Sequence, residues 1–223
     1  MYPVVILCGG YGTRMSPLTD HLPKSLIDIN GRPFLAYQLA MLEAQGAQEV
    51  HLCMGHYADQ IWEFVQHEPH NFKLYAWSDG ASPLGTAGAL RHIPVIQSQP
   101  FFVLYGDVFP LCNFQVIQEK FELYTFPALM VIYRTDHHGN VDYNNRTFHA
   151  YNKFKPTPAM TYGDYGLSML QPSVLSVTDS SDLADVFAAL DHNMVAFEAF
   201  EKPYSIGSFA SLERTRAFLR ARS

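Results

Sequence analysis

The chain has 223 residues, 48% of them apolar and 16% charged, with a formal net charge of -6 at pH 7. That length supports a full hydrophobic core, and the composition excludes a disordered or low-complexity protein. An acidic balance without a basic stripe argues against nucleic acid, no apolar run approaches the roughly 20 residues that span a bilayer, and Met1 to Cys8 lacks the basic start of a signal peptide.

The first predicted element is the apolar run Val4 to Cys8, bounded by Gly9-Gly10, which reads as the central strand of a parallel sheet, buried on both faces. A helix follows from Pro33 to Gln45, with Pro33 in its first turn and Gly46 as its stop. Alternation continues with a strand at Val50 to Met54, a helix at Ala58 to Gln66, a strand at Lys73 to Trp77, a helix at Thr86 to Arg91 and a strand at Phe101 to Tyr105. Strands alternating with helices predict a Rossmann-type half up to Asp107.

Beyond it come a helix at Gln115 to Tyr124 and strands at Ala128 to Tyr133, Phe148 to Tyr151 and Tyr165 to Leu170. Asn144-Asn145 and His138-Gly139-Asn140 are the hairpin signals between them. Leu183 to Leu190 and Phe209 to Leu219 read as helices, the last followed by arginines that suit a helix C-terminus. The fold class expected is α/β: a Rossmann-like, mostly parallel mixed sheet flanked by helices, with a small antiparallel element over one end. With no repeat and no linker, residues 1–223 are expected to form a single domain.

Cys8, Cys53 and Cys112 are odd in number and lack metal spacing, so buried reduced thiols in a cytoplasmic setting are expected. The Asn145-Arg146-Thr147 sequon is then accidental. His137-His138 and the other histidines have no zinc spacing. Phe101-Phe102, Phe121, Tyr124 and Phe126 read as core.

The segment Leu7-Cys8-Gly9-Gly10-Tyr11-Gly12-Thr13-Arg14 leaves a buried strand where open α/β sheets place their ligand loops. Three glycines in four positions let backbone amides approach phosphate oxygens; a merely tight turn is the alternative. The Walker ending is missing, and Met15 stands where a dinucleotide fingerprint has its last glycine. Arg14 and the downstream Lys24 supply a guanidinium fork and a point charge suited to a triphosphate, unless both are ordinary surface cations.

Gly9 to Thr19, followed by Pro23-Lys24 and Gly31-Arg32-Pro33, resembles the signature of the sugar-phosphate nucleotidyltransferase family. Pro83 to Leu90 matches its nucleoside segment, Tyr105-Gly106-Asp107 its magnesium motif, and Lys153, Asp164-Tyr165-Gly166 and Ile206-Gly207-Ser208 extend the likeness nearly end to end. The chain looks closest to the short heptose 1-phosphate guanylyltransferase-like branch.

That resemblance implies transfer of a nucleoside monophosphate from an NTP to a sugar 1-phosphate, forming an NDP-sugar and pyrophosphate, with Mg²⁺ as cofactor; charge and hydropathy leave no nucleic-acid or membrane partner. It implies a nucleotide-binding half over 1–110 and an acceptor-binding half over 111–223. Leu7, Gly9, Gly10, Gly12 and Thr13 would meet the triphosphate, and Gly85, Thr86 and Gly88 the nucleoside. Arg14 and Lys24 would be catalytic, neutralising charge at the phosphates. Asp107 would hold Mg²⁺, its alternative being a helix N-cap. Lys153, Asp164 and Gly166 would bind the acceptor, with Asp79 and Ser82 adding polar contacts near the nucleoside.

Two positions depart from the pattern. Asn152 replaces the usual acid before the lysine, and Ser205 stands where many relatives carry a second metal-binding aspartate, for which Glu201 is a candidate substitute. Three other readings stay open: a cytidylyltransferase acting on a non-sugar phosphate, a nucleotide-binding regulatory protein with weak catalysis, and an NAD-dependent oxidoreductase, which Met15 and the Arg14/Lys24 pair count against. Nucleobase, acceptor and any homo-oligomeric state are left open.

Overall fold

The computed structural model describes residues 1–136 and 139–222. Strand β1 (Val4–Leu7) is followed by a two-strand ribbon, β2 (Asp28–Ile29) and β3 (Arg32–Pro33), and then by helix α1 (Phe34–Ala44). β4 (Glu49–Met54), α2 (Ala58–His67), β5 (Lys73–Ser78), α3 (Thr86–Arg91) and β6 (Phe101–Tyr105) complete the first half. β1 lies between β4 and β6 and is parallel to both, with Val4 opposite Val50 and Phe102, and β5 continues the parallel order beyond β4.

Successive strand residues point to opposite faces, so β1 feeds two cores. Val4 and Ile6 pack with Leu35, Leu39 and Leu42 of α1 and Ile61 and Val65 of α2. Val5 packs on the other face with Ala87 and Leu90 of α3. A strand covered on both faces has no use for polar residues, which is why Val-Val-Ile-Leu runs unbroken.

The second half holds β7 (Val108–Phe109), α4 (Phe114–Leu123), β8 (Ala128–Arg134), β9 (Val141–Asn144), β10 (Thr147–Tyr151) and β11 (Tyr162–Leu170). After these come α5 (Leu183–Leu190), β12 (Val195–Ala199), β13 (Tyr204–Ser205) and α6 (Phe209–Arg220). β11 runs antiparallel to both β6 and β8, and β12 is parallel to β8. The hairpin β9–β10 joins the start of β11 through Val141 and Tyr162. The main sheet is therefore parallel around β1 and mixed beyond β6.

The β9–β10 turn is made by Asn145 and Arg146, both at positive φ, as a tight hairpin requires. The second predicted hairpin signal includes His138, which with His137 lies outside the described residues. Tyr124 corrects the core assignment: Phe101, Phe102 and Phe121 are buried, but Tyr124 is 43% exposed. It follows the last residue of α4, where the chain leaves the apolar face of the helix.

A third, smaller core positions the site. Met15, Ile27, Ile29 and Phe34 pack against Ile206 and against Leu212 and Leu219 of α6. That cluster ties the segment around Ser205 to the segment that follows the glycine turn.

Candidate active site

The glycine turn is anchored on both sides. Cys8 N–H donates to the Cys53 carbonyl at 2.9 Å, His56 N–H to the Gly9 carbonyl at 3.2 Å, and Gly106 N–H to the Leu7 carbonyl at 2.9 Å. Among the described residues no acceptor engages the amides of Gly10, Tyr11, Gly12 or Thr13. Gly12 has φ 67°, and a Cβ there would stand 3.0 Å from Thr19 Cγ2 and 3.2 Å from Lys24 Cβ. The turn thus packs directly on Lys24 and leaves four successive N–H groups without a protein acceptor among the described residues, as a phosphate-binding loop requires. Arg14, on the same turn, is exposed and has no hydrogen bond or ion pair among the described residues.

Lys24 Nζ lies 2.5 Å from Asp107 Oδ2, with both side chains largely buried. Gln38, fully buried on α1, donates from Nε2 to the Tyr105 carbonyl at 3.1 Å and to the Val108 carbonyl at 2.7 Å. It clamps the turn that presents Asp107. The chain then enters β7, so Asp107 caps no helix; Asn113 caps α4. β7 pairs with β13, placing Ser205 opposite Val108. A Cβ on Gly207 would lie 3.7 Å from Asp107 Oδ2, 3.9 Å from Lys24 Nζ and 3.9 Å from Ser205 Oγ. Glu201 lines a separate cavity of about 270 Å³ with Leu111, Tyr165 and Phe197.

At the start of α3, Gly85 has φ 75° and packs so tightly that a Cβ would meet the Ser181 carbonyl at 2.5 Å. That carbonyl accepts from Ala87 N–H at 2.8 Å and Gly88 N–H at 3.3 Å. The Thr86 hydroxyl donates to Asp182 Oδ1 at 3.2 Å and accepts from Leu183 N–H at 2.7 Å. This stretch joins the two halves of the chain as well as edging the cleft. Asp79 accepts from Leu84 N–H at 3.1 Å and, with Tyr11, His56, Tyr57 and Pro83, lines a cavity of about 190 Å³ beside the glycine turn.

Asp164 stands on β11 among polar partners. Gly166 N–H donates to its Oδ1 at 2.8 Å, the Tyr105 hydroxyl to its Oδ2 at 3.5 Å, and Tyr151 adds a further hydrogen bond. Burial pushes the Asp164 carboxyl up to about 6, against the lowering effect of the Gly166 amide, the two tyrosines and Lys153. Gly166, at φ 83°, lets the chain pass Val108 and Tyr105 closely. The Tyr105 phenol is raised well above its ordinary value, first by burial, then by the charges of Asp164, Asp182 and Asp107. Lys153 Nζ lies 3.6 Å from Asp182 Oδ2.

Of the residues singled out in the sequence, Gly12, Lys24 and Asp107 meet directly, while Lys153, Asp164 and Gly166 share a second cluster bordered by Thr86. Tyr105 reaches toward both. Sequence reasoning missed Gln38, Tyr105, Tyr151, Asn140 and Asp182. Only Tyr105 carried a signal, as the residue before Gly106-Asp107. Asn140 accepts from Asp164 N–H at 2.8 Å, a contact no local pattern announces.

An α/β sheet whose central parallel strand ends in a glycine turn, with an ammonium and a carboxylate beside it, belongs to the open-sheet class, which places its ligands at the carboxyl ends of the strands. Its family follows from comparison: residues 4–193 match the model of the MobA-like NTP transferase domain, and the chain belongs to that family. It is 31% identical over 182 residues to a mannose-1-phosphate guanyltransferase of Emericella nidulans, covering 77% of this chain and 50% of the relative. The chain spans about half the length of the curated relatives it matches. Its fold superposes on HddC from Yersinia pseudotuberculosis complexed with GMP-PN with a TM-score of 0.82 and 25% identity, over 98% of this chain and 100% of that one. A glucose-1-phosphate thymidylyltransferase of Bacillus anthracis, described as such provisionally, shares the fold at 18% identity, with a TM-score of 0.84 over 99% and 96% of the two chains.

Proposed function

We propose that this protein transfers a nucleoside monophosphate from an NTP to a sugar 1-phosphate, releasing pyrophosphate. The observation that carries the reading is the Lys24–Asp107 pair directly beneath the glycine turn. A phosphate oxygen of the acceptor attacks the α-phosphorus, forming one P–O bond. The bond to the β-phosphate breaks, and its electron pair leaves with pyrophosphate. Such a transfer asks the protein for positioning and charge neutralisation rather than covalent chemistry.

The free amides from Gly10 to Thr13 suit the triphosphate, and Arg14, unengaged elsewhere, suits the departing pyrophosphate. Leu7 and Gly9 carry the strand end that supports this turn. Lys24, held between the turn and Asp107, is suited to the α-phosphate. Gly85, Thr86 and Gly88 serve the nucleoside side by shape, because the Thr86 hydroxyl and the Gly88 amide already have protein partners. Lys153, Asp164 and Gly166 serve the acceptor: an ammonium for its phosphate, and a carboxylate and a strand bend for its hydroxyl groups.

Mg²⁺ fits the donor set in one way. Asp107 is a hard oxygen donor with the Ser205 hydroxyl nearby, and one carboxylate plus substrate phosphates is a common Mg²⁺ arrangement. Among the described residues no group of three or more acidic, histidine or cysteine side chains gathers to hold a metal by itself. When bound there, Mg²⁺ would supply charge neutralisation at the phosphates.

The experiment is a coupled pyrophosphate-release assay over the four NTPs and a panel of sugar 1-phosphates, with choline phosphate included. Release with a sugar phosphate bears the reading out. Release only with CTP and choline phosphate, or tight Mg-NTP binding without any release, overturns it. The three buried free cysteines suit a reducing, cytoplasmic setting.

A further inference from the structure

The loop that leads into α5 is fastened onto α3 by more contacts than a connection needs. Arg91 donates to the carbonyls of Leu175 at 2.8 Å, Thr178 at 2.7 Å and Ser180 at 2.8 Å. Ser181 then receives the α3 amides, and Asp182 caps α5 by accepting from Ala184 N–H at 2.9 Å. The Asp182 carboxylate is thereby fixed: Oδ1 is used by Thr86 and Ala184, and Oδ2 is left facing Lys153.

Resting on the function proposed above, we infer that Asp182 is a positioning residue, which holds the Lys153 ammonium at the seam between the nucleotide and acceptor sides of the cleft. A lysine side chain has many rotamers to lose, so a long exposed one gains most from a partner that is already immobile. Asp182 is such a partner, because its rotamer is set by two hydrogen bonds of its own. Lys153 also acts electrostatically on Asp164, so its charge is felt by two carboxylates, of which Asp182 is the one in ion-pair contact. Thr86 on the nucleotide side and Lys153 on the acceptor side are thus tied to one residue, 96 positions along the chain from the first.

Asp182→Asn isolates the charge, since asparagine caps helices as well as aspartate and can still accept from Thr86. With GTP and mannose 1-phosphate as probes, the acceptor KM should rise about fivefold, the scale of an exposed ion pair, while the NTP KM holds. In a Lys153→Met background the same substitution should add nothing. Lysine acylation followed by mass spectrometry should modify Lys153 several-fold faster in Asp182→Asn, with Lys155 as internal reference.

An unchanged acylation rate overturns the inference, and so does an acceptor KM that stays put in an enzyme that turns over. If the unmodified protein releases no pyrophosphate with any pair, the proposed function fails by itself, and Lys153 acylation still decides whether Asp182 tethers it.

Discussion

Lys24 Nζ and Asp107 Oδ2 meet at 2.5 Å although 83 residues separate them in the chain. Neither side chain could stand alone there without cost: a largely buried charge without a partner is destabilising, whereas the pair is neutral. The pair marks where the end of β1 and the end of β6 converge on one spot. It also means that each partner is poised for a phosphate or a cation without having to be drawn in from solvent.

Lys24→Met should lower kcat by on the order of 10² to 10³, the scale of losing one preorganised charge at a developing anion. The fold should survive, because the methylenes over Gly12 are kept, but with lower stability, because Asp107 loses its partner. Single-turnover pyrophosphate release and far-ultraviolet circular dichroism check the two halves of this expectation.

Gln38→Leu should cost about 1–3 kcal/mol, because the Tyr105 and Val108 carbonyls would lose their shared buried donor. Urea unfolding gives the stability change. Turnover should fall as well, since the turn carrying Asp107 loses its clamp.

Gly85→Ala should destabilise by at least about 1–3 kcal/mol, the cost of a non-glycine residue in a sparsely populated backbone region, with steric overlap on Ser181 added. Gly10→Ala, where a Cβ would meet nothing within 4 Å, should leave stability nearly unchanged. Thermal midpoints of the two variants side by side make the comparison.

Asp164 sets a pH dependence of stability. Its folded carboxyl titrates at about 6, above the ordinary 3.8, so the folded protein holds that proton more tightly than the unfolded chain does. The contribution is fully present below the unfolded value and is lost as pH rises through the folded one. Asp164→Asn, uncharged throughout, should therefore have the higher melting midpoint at pH 8, and its advantage should fade toward pH 4. Equal differences at both values would contradict the shift.

Ser205→Asp should lower the Mg²⁺ concentration needed for half-maximal turnover. It adds a hard carboxylate close to Asp107, with Lys24 there to offset the added repulsion. Titration of Mg²⁺ at saturating NTP reads this directly.

The elements of the first half were legible because their signals are local. Val4 to Leu7 is an unbroken apolar run, Gly9, Gly10 and Gly12 announce a turn whose positive φ falls at Gly12, and Pro33 and Gly46 bracket α1. Lys24 and Asp107 could be singled out for the same reason, each standing beside a recognisable turn. β12, in contrast, went unread: Val195-Ala196-Phe197-Glu198-Ala199 is short and weakly patterned, and its strand character comes from pairing with β8.

By itself, then, the order of residues determined the alternation of strands and helices, the place of the glycine turn and the identity of the charges close to it. Tertiary structure decided the rest. Gln38 reaches two carbonyls about 70 residues away, Tyr105 finds Asp164 at a separation of 59, and Asp182 meets Thr86 at 96. Periodicity and turn chemistry are properties of a few neighbouring residues. Which strand lies beside which, and therefore which side chains share a cleft, is settled only when both faces of the sheet are buried at once.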